Sequence, residues 1–120
     1  MGEHKKFEDL EVWKKGCRLA VNIYEITSND YFKNDWGLRD QLRKAAVSVP
    51  SNIAEGFERN SDLEFKRFLR IAKGSCGELR SQLYIAKVIN AVSSDNANEL
   101  IGECVQISSM IQGLIKYLSK

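Results

Sequence analysis

GLRDQLRKAAVSVPSNIAEGFER, residues 37–59, decides the fold. Leu38, Leu42, Ala45, Val49, Ile53 and Phe57 recur at three- and four-residue steps, the period of a helix with one apolar face. Pro50 stands inside that period. An interior proline removes the hydrogen bond to a carbonyl one turn back, here that of Ala46, and its ring crowds that carbonyl, at about 3 kcal/mol or more. Small and polar residues surround it: Ala45, Ala46, Ser48, Ser51, Asn52, Ala54 and Gly56. The pattern predicts a helix interrupted at Pro50 that bends at a set place and lets a neighbouring backbone come close. Such a segment implies a specific packed assembly and names no chemistry.

Helical periods continue on either side. Upstream, Asp9 is an N-cap candidate for a helix reaching about Thr27. Leu10, Trp13, Cys17, Ala20 and Tyr24 form one apolar stripe, with Val12, Gly16, Leu19, Ile23 and Ile26 beside it. SNDYFKND breaks the period as a loop, and the second helix starts near Asp35 and ends near Glu58. Ser61 and Glu64 have the capping-box spacing that opens a third helix. It runs to about Asn90 with Phe65, Leu69, Ala72, Cys76, Leu79, Leu83 and Ala86 inward. Gly74 and Gly77, with Ala72 and Ser75, make a low-profile patch that predicts a close helix crossing. Asn96 with Glu99 caps a fourth helix whose inward residues are Leu100, Cys104, Ile107, Ile111, Leu114 and Leu118. Short connections make successive helices antiparallel neighbours, so the expected fold is all-α, an up-down-up-down four-helix bundle. Residues 1–120 form one domain in this scheme, with residues 1–8 as a flexible tail.

Composition narrows the function classes. A chain of 120 residues, with 43% hydrophobic and 28% charged side chains, suits an ordinary globular protein with its own core. No apolar run approaches the length of a membrane-spanning helix, and MGEHKKFEDLEVW has no apolar core of a secretory signal. Cys17, Cys76 and Cys104 are odd in number, lack CxxC spacing and fall in apolar stripes. Reduced, buried thiols in a cytoplasmic protein account for them. The net charge of +2 is too weak to argue for nucleic acid by itself, but the distribution is uneven. Residues 39–80 carry nine basic and six acidic side chains, +3, against −1 for residues 1–38 and 0 for residues 81–120.

The motifs together resemble a family. Phe7, Asp9, Leu10, Val12 and Trp13, then Tyr24, Gly37-Leu38 and Gln41-Leu42-Arg43-Lys44-Ala45-Ala46, lead into Ser48-Val49-Pro50-Ser51-Asn52-Ile53-Ala54-Glu55-Gly56-Phe57 and Arg59. Phe68-Leu69, Ile71-Ala72, Gly74-Ser75, Glu78-Leu79 and Gln82-Leu83 complete the match. The chain resembles the four-helix-bundle proteins of intervening sequences in bacterial large-subunit (23S) rRNA genes. Cys76 and Gly77 depart from the family, which has larger or more hydrophobic residues there. The resemblance implies a homo-oligomer, with a pentameric ring as the arrangement known in relatives. It also implies a link to nucleic acid, since similar proteins act as accessory factors of diversity-generating retroelements, binding nucleic acid and a reverse transcriptase. The structural motif it points to comprises Arg43, Ser48, Asn52, Glu55, Gly56 and Arg59.

Two constellations stand out in the residues themselves. Lys66, Arg70, Lys73 and Arg80 align along one face of the third helix, with Arg67 adjacent and Tyr84 continuing the line. Such a stripe suits a phosphate backbone. It equally suits a solvated flank whose long stems cover apolar neighbours. On the second helix, Val47, Pro50 and Ala54 form a second apolar line that would face water in a monomer and that a subunit contact would cover. Glu55 has no partner nucleophile and is expected to pair with Arg43, Arg59 or a neighbouring subunit. The one histidine, His4, lies in the tail, which removes the Ser-His and Cys-His routes to an activated nucleophile. Glu-x-x-His pairs, phosphate loops and dinucleotide fingerprints are missing from the sequence. The expectation is therefore a non-enzymatic scaffold without metal or cofactor, homo-oligomeric and binding RNA or DNA. The alternative is a protein-interaction or structural oligomer with no nucleic-acid role.

Overall fold

The computed structural model describes residues 5–120. Four helices follow one another: α1 (Glu11–Ile26), α2 (Trp36–Glu58), α3 (Asp62–Val88) and α4 (Ser94–Leu118). Each packs on the next, and α1 also packs on α4, which closes an elongated four-helix bundle of 46 × 19 × 19 Å. The described residues contain no strand.

Local chemistry sets the helix ends, and two caps and one loop differ from expectation. Asp9 does not cap α1. Phe7–Asp9 forms a 3-10 turn closed by the Leu10 N–H on the Phe7 carbonyl at 2.9 Å. Phe7 packs edge-on against Trp13, 5.2 Å between ring centroids, so the turn folds back on the bundle and α1 starts after Leu10. Residues 7 and 8, expected in a flexible tail, are thus part of the fold; His4 lies outside the described residues. The expected loop SNDYFKND contains a 3-10 turn, Asp30–Asn34, which drops Phe32 fully into the core. Asp35 then caps α2, accepting from the Leu38 N–H at 3.2 Å. Ser61 caps α3 as expected, but Ser93, not Asn96, caps α4, accepting from the Asn96 N–H. Asn60 and Asn90 take the left-handed conformation at the ends of α2 and α3. Behind Asn90, the Ala91 N–H returns to the Ala86 carbonyl at 2.9 Å, satisfying an orphan carbonyl of the helix end.

The core follows the expected stripes on α2, α3 and α4, with Leu38, Phe57 and Leu114 only partly buried and Ile115 buried beside Leu114. On α1 the buried line is Val12, Gly16, Leu19 and Ile23 with Ala20. Trp13 and Cys17 are half-buried and Tyr24 is exposed. Pro50 lies inside α2, and the helix continues across it. The expectation that Pro50 would face water in a monomer is corrected: it is buried against α1. A Cβ on Gly16 would sit 3.4 Å from the Pro50 Cβ, so these two residues make the α1/α2 crossing.

The expected close crossing at Gly74 and Gly77 is not there. A Cβ at either would meet nothing within 4 Å. Both are exposed, because they fall between the turns that carry Ala72, Cys76 and Leu79 inward. The tight approach is at Gly56, where a Cβ would lie 2.6 Å from the Phe68 Cβ and 3.3 Å from the Phe65 carbonyl oxygen. The short turn from α2 to α3 brings those first two turns of α3 directly under Gly56.

Candidate nucleic-acid interface

The basic stripe lies on the flank of α3 that borders α4. Lys87, at its end, donates to the Asn98 side chain of α4 at 2.8 Å. Lys66, Lys73 and Arg80 recur every seven residues, so their Cα atoms climb the helix by about 10 Å per step. Arg70 and Arg80 are exposed; Lys66 and Lys73 are half-buried. None of these four enters an ion pair among the described residues. Tyr84 is half exposed farther along α3.

Arg67 stands apart from the other four. Its Nε donates to Glu64 at 3.1 Å, and its guanidinium lies 4.9 Å over the Phe68 ring. Arg59 covers Phe68 at the same distance and pairs with Glu55 at 3.0 Å and Glu64 at 3.7 Å. Glu55 therefore pairs with Arg59, one of the partners expected for it. These charges close the end of the bundle over Gly56.

The stripe touches the edge of the core. Burial pushes the Cys76 thiol up to about 11, with Lys73 nearby pulling it down. Burial raises Cys104 to about 12, helped by Cys76 and Glu103 and opposed by Arg80. Neither thiol is a nucleophile at neutral pH. Cys17 is also raised by burial, though it is not fully buried as expected. Among the described residues no group of His, Cys, Asp and Glu is placed to hold a metal ion.

The other motif residues are engaged within the chain. The Asn52 side-chain amide donates to the Ser48 carbonyl at 2.8 Å and to Ser48 Oγ at 3.0 Å. Ser75 Oγ donates to the same hydroxyl from α3 at 3.2 Å. Gln82 Nε2 donates to Gln41 Oε1 along this α2/α3 seam, leaving the buried Gln82 Oε1 without a partner among the described residues. Arg43 reaches α1: its Nε donates to the buried Thr27 hydroxyl at 2.9 Å, and its guanidinium lies 4.5 Å over the Tyr24 ring. Sequence reasoning found Arg43 and Tyr24 singly but not their contact, which joins two helices. Beside them is a cleft of about 520 Å³ lined by Tyr24, Asp40, Arg43, Lys44, Val47 and Ser48. Of the expected oligomer contacts, Val47 is exposed, Ala54 is half-buried and Pro50 is buried.

The model of the 23S rRNA-intervening sequence proteins matches residues 8–113, nearly the whole bundle. The chain belongs to that family. A solved structure agrees with the fold: a protein of unknown function from the S23 ribosomal protein family of Bacteroides thetaiotaomicron VPI-5482. This intervening-sequence protein is 20% identical to it and superposes with a TM-score of 0.80, over 88% of this chain and 98% of that one. No curated protein matches. No helix among the described residues is long and apolar enough to cross a membrane.

Proposed function

We propose that this member of the family is a non-catalytic, homo-oligomeric scaffold that binds RNA or DNA through the α3 stripe of Lys66, Arg70, Lys73 and Arg80. The supporting observation is the contrast in charge use: these four cations have no ion-pair partner among the described residues, while Arg59 and Arg67 do. Each phosphate contact releases condensed counterions, and a stripe repeated around a homo-oligomer multiplies a weak contact into a strong one. The pentamer and a reverse transcriptase or other protein as partner belong to the same proposal, supported by the motif resemblance around Ser48–Phe57, as does a cytoplasmic location, supported by the three free cysteines. Sequence preference should be slight, because one half-exposed tyrosine is a small platform for stacking.

A second account has its own observation in favour. Val21, Tyr24, Trp36 and Val47 expose apolar surface that the nucleic-acid stripe does not use, which suits a protein-interaction or structural oligomer with no nucleic-acid role. Titration of the full chain with single-stranded and structured RNA at two salt concentrations separates the two. Binding that weakens steeply with salt supports the first, and no binding even at low salt supports the second.

A further inference from the structure

Two exposed stripes on different helices have matching patterns and opposite charge. The first, on the α1/α2 face, runs along α2 from Trp36 through Arg43 and Lys44 to Val47, with Tyr24 of α1 beside it. Trp36 is 63% exposed, unusually open for a tryptophan, and Val47 and Tyr24 are open as well. Arg43 and Lys44 enter no ion pair among the described residues; Asp40, which shares their cleft, is held by Arg39 at 3.0 Å. The second stripe is Ile71, Glu78 and Ile85 on α3, at strict seven-residue steps. Ile71 and Ile85 are exposed, and Glu78 is an exposed carboxylate in no ion pair among the described residues. Gly74, next to it, has open space above its backbone. Each stripe is apolar at its ends with charge between them, nearer Val47 in the first and midway in the second, and each spans about 15–20 Å of helix at 1.5 Å per residue.

We propose that copies of this chain join head to tail, with the Trp36–Arg43–Lys44–Val47 face of one protomer on the Ile71–Glu78–Ile85 stripe of the next. Apolar residues then meet apolar residues, and Glu78 meets the exposed Lys44, beside the half-buried Arg43 that Thr27 and Tyr24 hold in place. A two-fold contact of the first face on itself would set Arg43 and Lys44 against their own copies, a like-charge juxtaposition that disfavours it. Two different faces in contact make a heterologous interface, which closes into a ring or runs on as an open filament. The pairing leaves Lys66, Lys73 and Arg80 outside the contact. It rests on the homo-oligomer reading above and adds the surfaces that make it.

Light scattering of the full chain over a concentration series tests it, with three variants at exposed positions and circular dichroism as the check on folding. The parent should assemble to a multiple of 13.6 kDa. Glu78→Lys and Ile85→Asp should each shift half-assembly to at least about tenfold higher concentration, while keeping helicity. Lys44→Glu combined with Glu78→Lys should recover much of the parent behaviour. An oligomeric parent whose single variants assemble equally well overturns the pairing and leaves the homo-oligomer standing. A charge swap that fails to recover assembly overturns the Lys44–Glu78 contact. A monomeric parent at high micromolar concentration overturns both the pairing and the homo-oligomer.

Discussion

The Ser48–Gly56 stretch of α2 and the basic flank of α3 are the two most conspicuous features of this chain, and they use their polar groups in opposite ways. In the first, Ser48, Asn52 and Ser75 bond to one another, Pro50 fills the α1/α2 crossing over Gly16, and Gly56 admits Phe68. In the second, Lys66, Arg70, Lys73 and Arg80 bond to no acidic group among the described residues. A distinctive motif whose Ser48, Pro50, Asn52 and Gly56 are engaged within the bundle, with only Ser51 and Glu55 exposed, encodes packing. Charges left without an internal partner are the ones available to something else. The first region lies within the match over residues 8–113 that shows the family, and the functional proposal rests on the second.

The contrast can be broken by substitution, beginning where the largest effect is expected. Gly56→Leu should cost about 3 kcal/mol or more, because overpacking here must displace Phe68 and the Phe65 backbone. Denaturant unfolding of the purified variant measures it, and a parent-like midpoint would show that α2 and α3 separate freely at this end. Arg43→Ala should cost about 1.5–3 kcal/mol, since it strips a charged hydrogen bond from the buried Thr27 hydroxyl and uncovers Tyr24. Asn52→Ala should cost about 1 kcal/mol through the Ser48 bonds. Gly74→Ala should do the reverse and stabilise by about 0.5–1 kcal/mol, because the site is open and helical. A loss of stability at Gly74 in the assembled protein, with none in a monomeric variant, would place that glycine in a contact between copies.

The thiols sharpen the same comparison through pH. The folded values for Cys76 and Cys104, about 11 and about 12, lie above the ordinary 9.0. The unfolded chain therefore releases these protons first. Their effect on stability is nil below about pH 9, and stability falls as pH rises from there through the folded values. At pH 8 a thiol reagent should label Cys17 rapidly and the other two only as fast as the bundle opens. Equal labelling of all three would mean that the α3/α4 side is not closed.

The helix periods made the bundle legible because an apolar stripe on a long helix has few ways to be buried. What stayed hidden depended on contacts across long separations. A lone Phe32 between helices carries no period, so its burial through a 3-10 turn had no local signal. A glycine looks the same in sequence whether a helix presses on it or water does, which is why a close crossing was expected at Gly74 and Gly77, where there is none, as well as around Gly56, where there is one. The pairing of Arg67 with Glu64, one turn away on the same helix, was open to sequence reasoning. The pairing of Arg43 with Thr27 was not, because it requires the α1/α2 crossing to be known.

The central claim is that the unpaired α3 cations hold nucleic acid, and one titration addresses it most directly. Binding of single-stranded RNA to the parent and to a Lys66→Glu, Arg70→Glu, Lys73→Glu variant should be followed by fluorescence anisotropy at low and moderate salt, with circular dichroism on both proteins. The account predicts affinity in the parent that falls steeply with salt, at least about a hundredfold weaker binding in the variant, and an unchanged fold. A parent that binds no RNA or DNA at low salt, or a folded variant that binds as tightly as the parent, would contradict it.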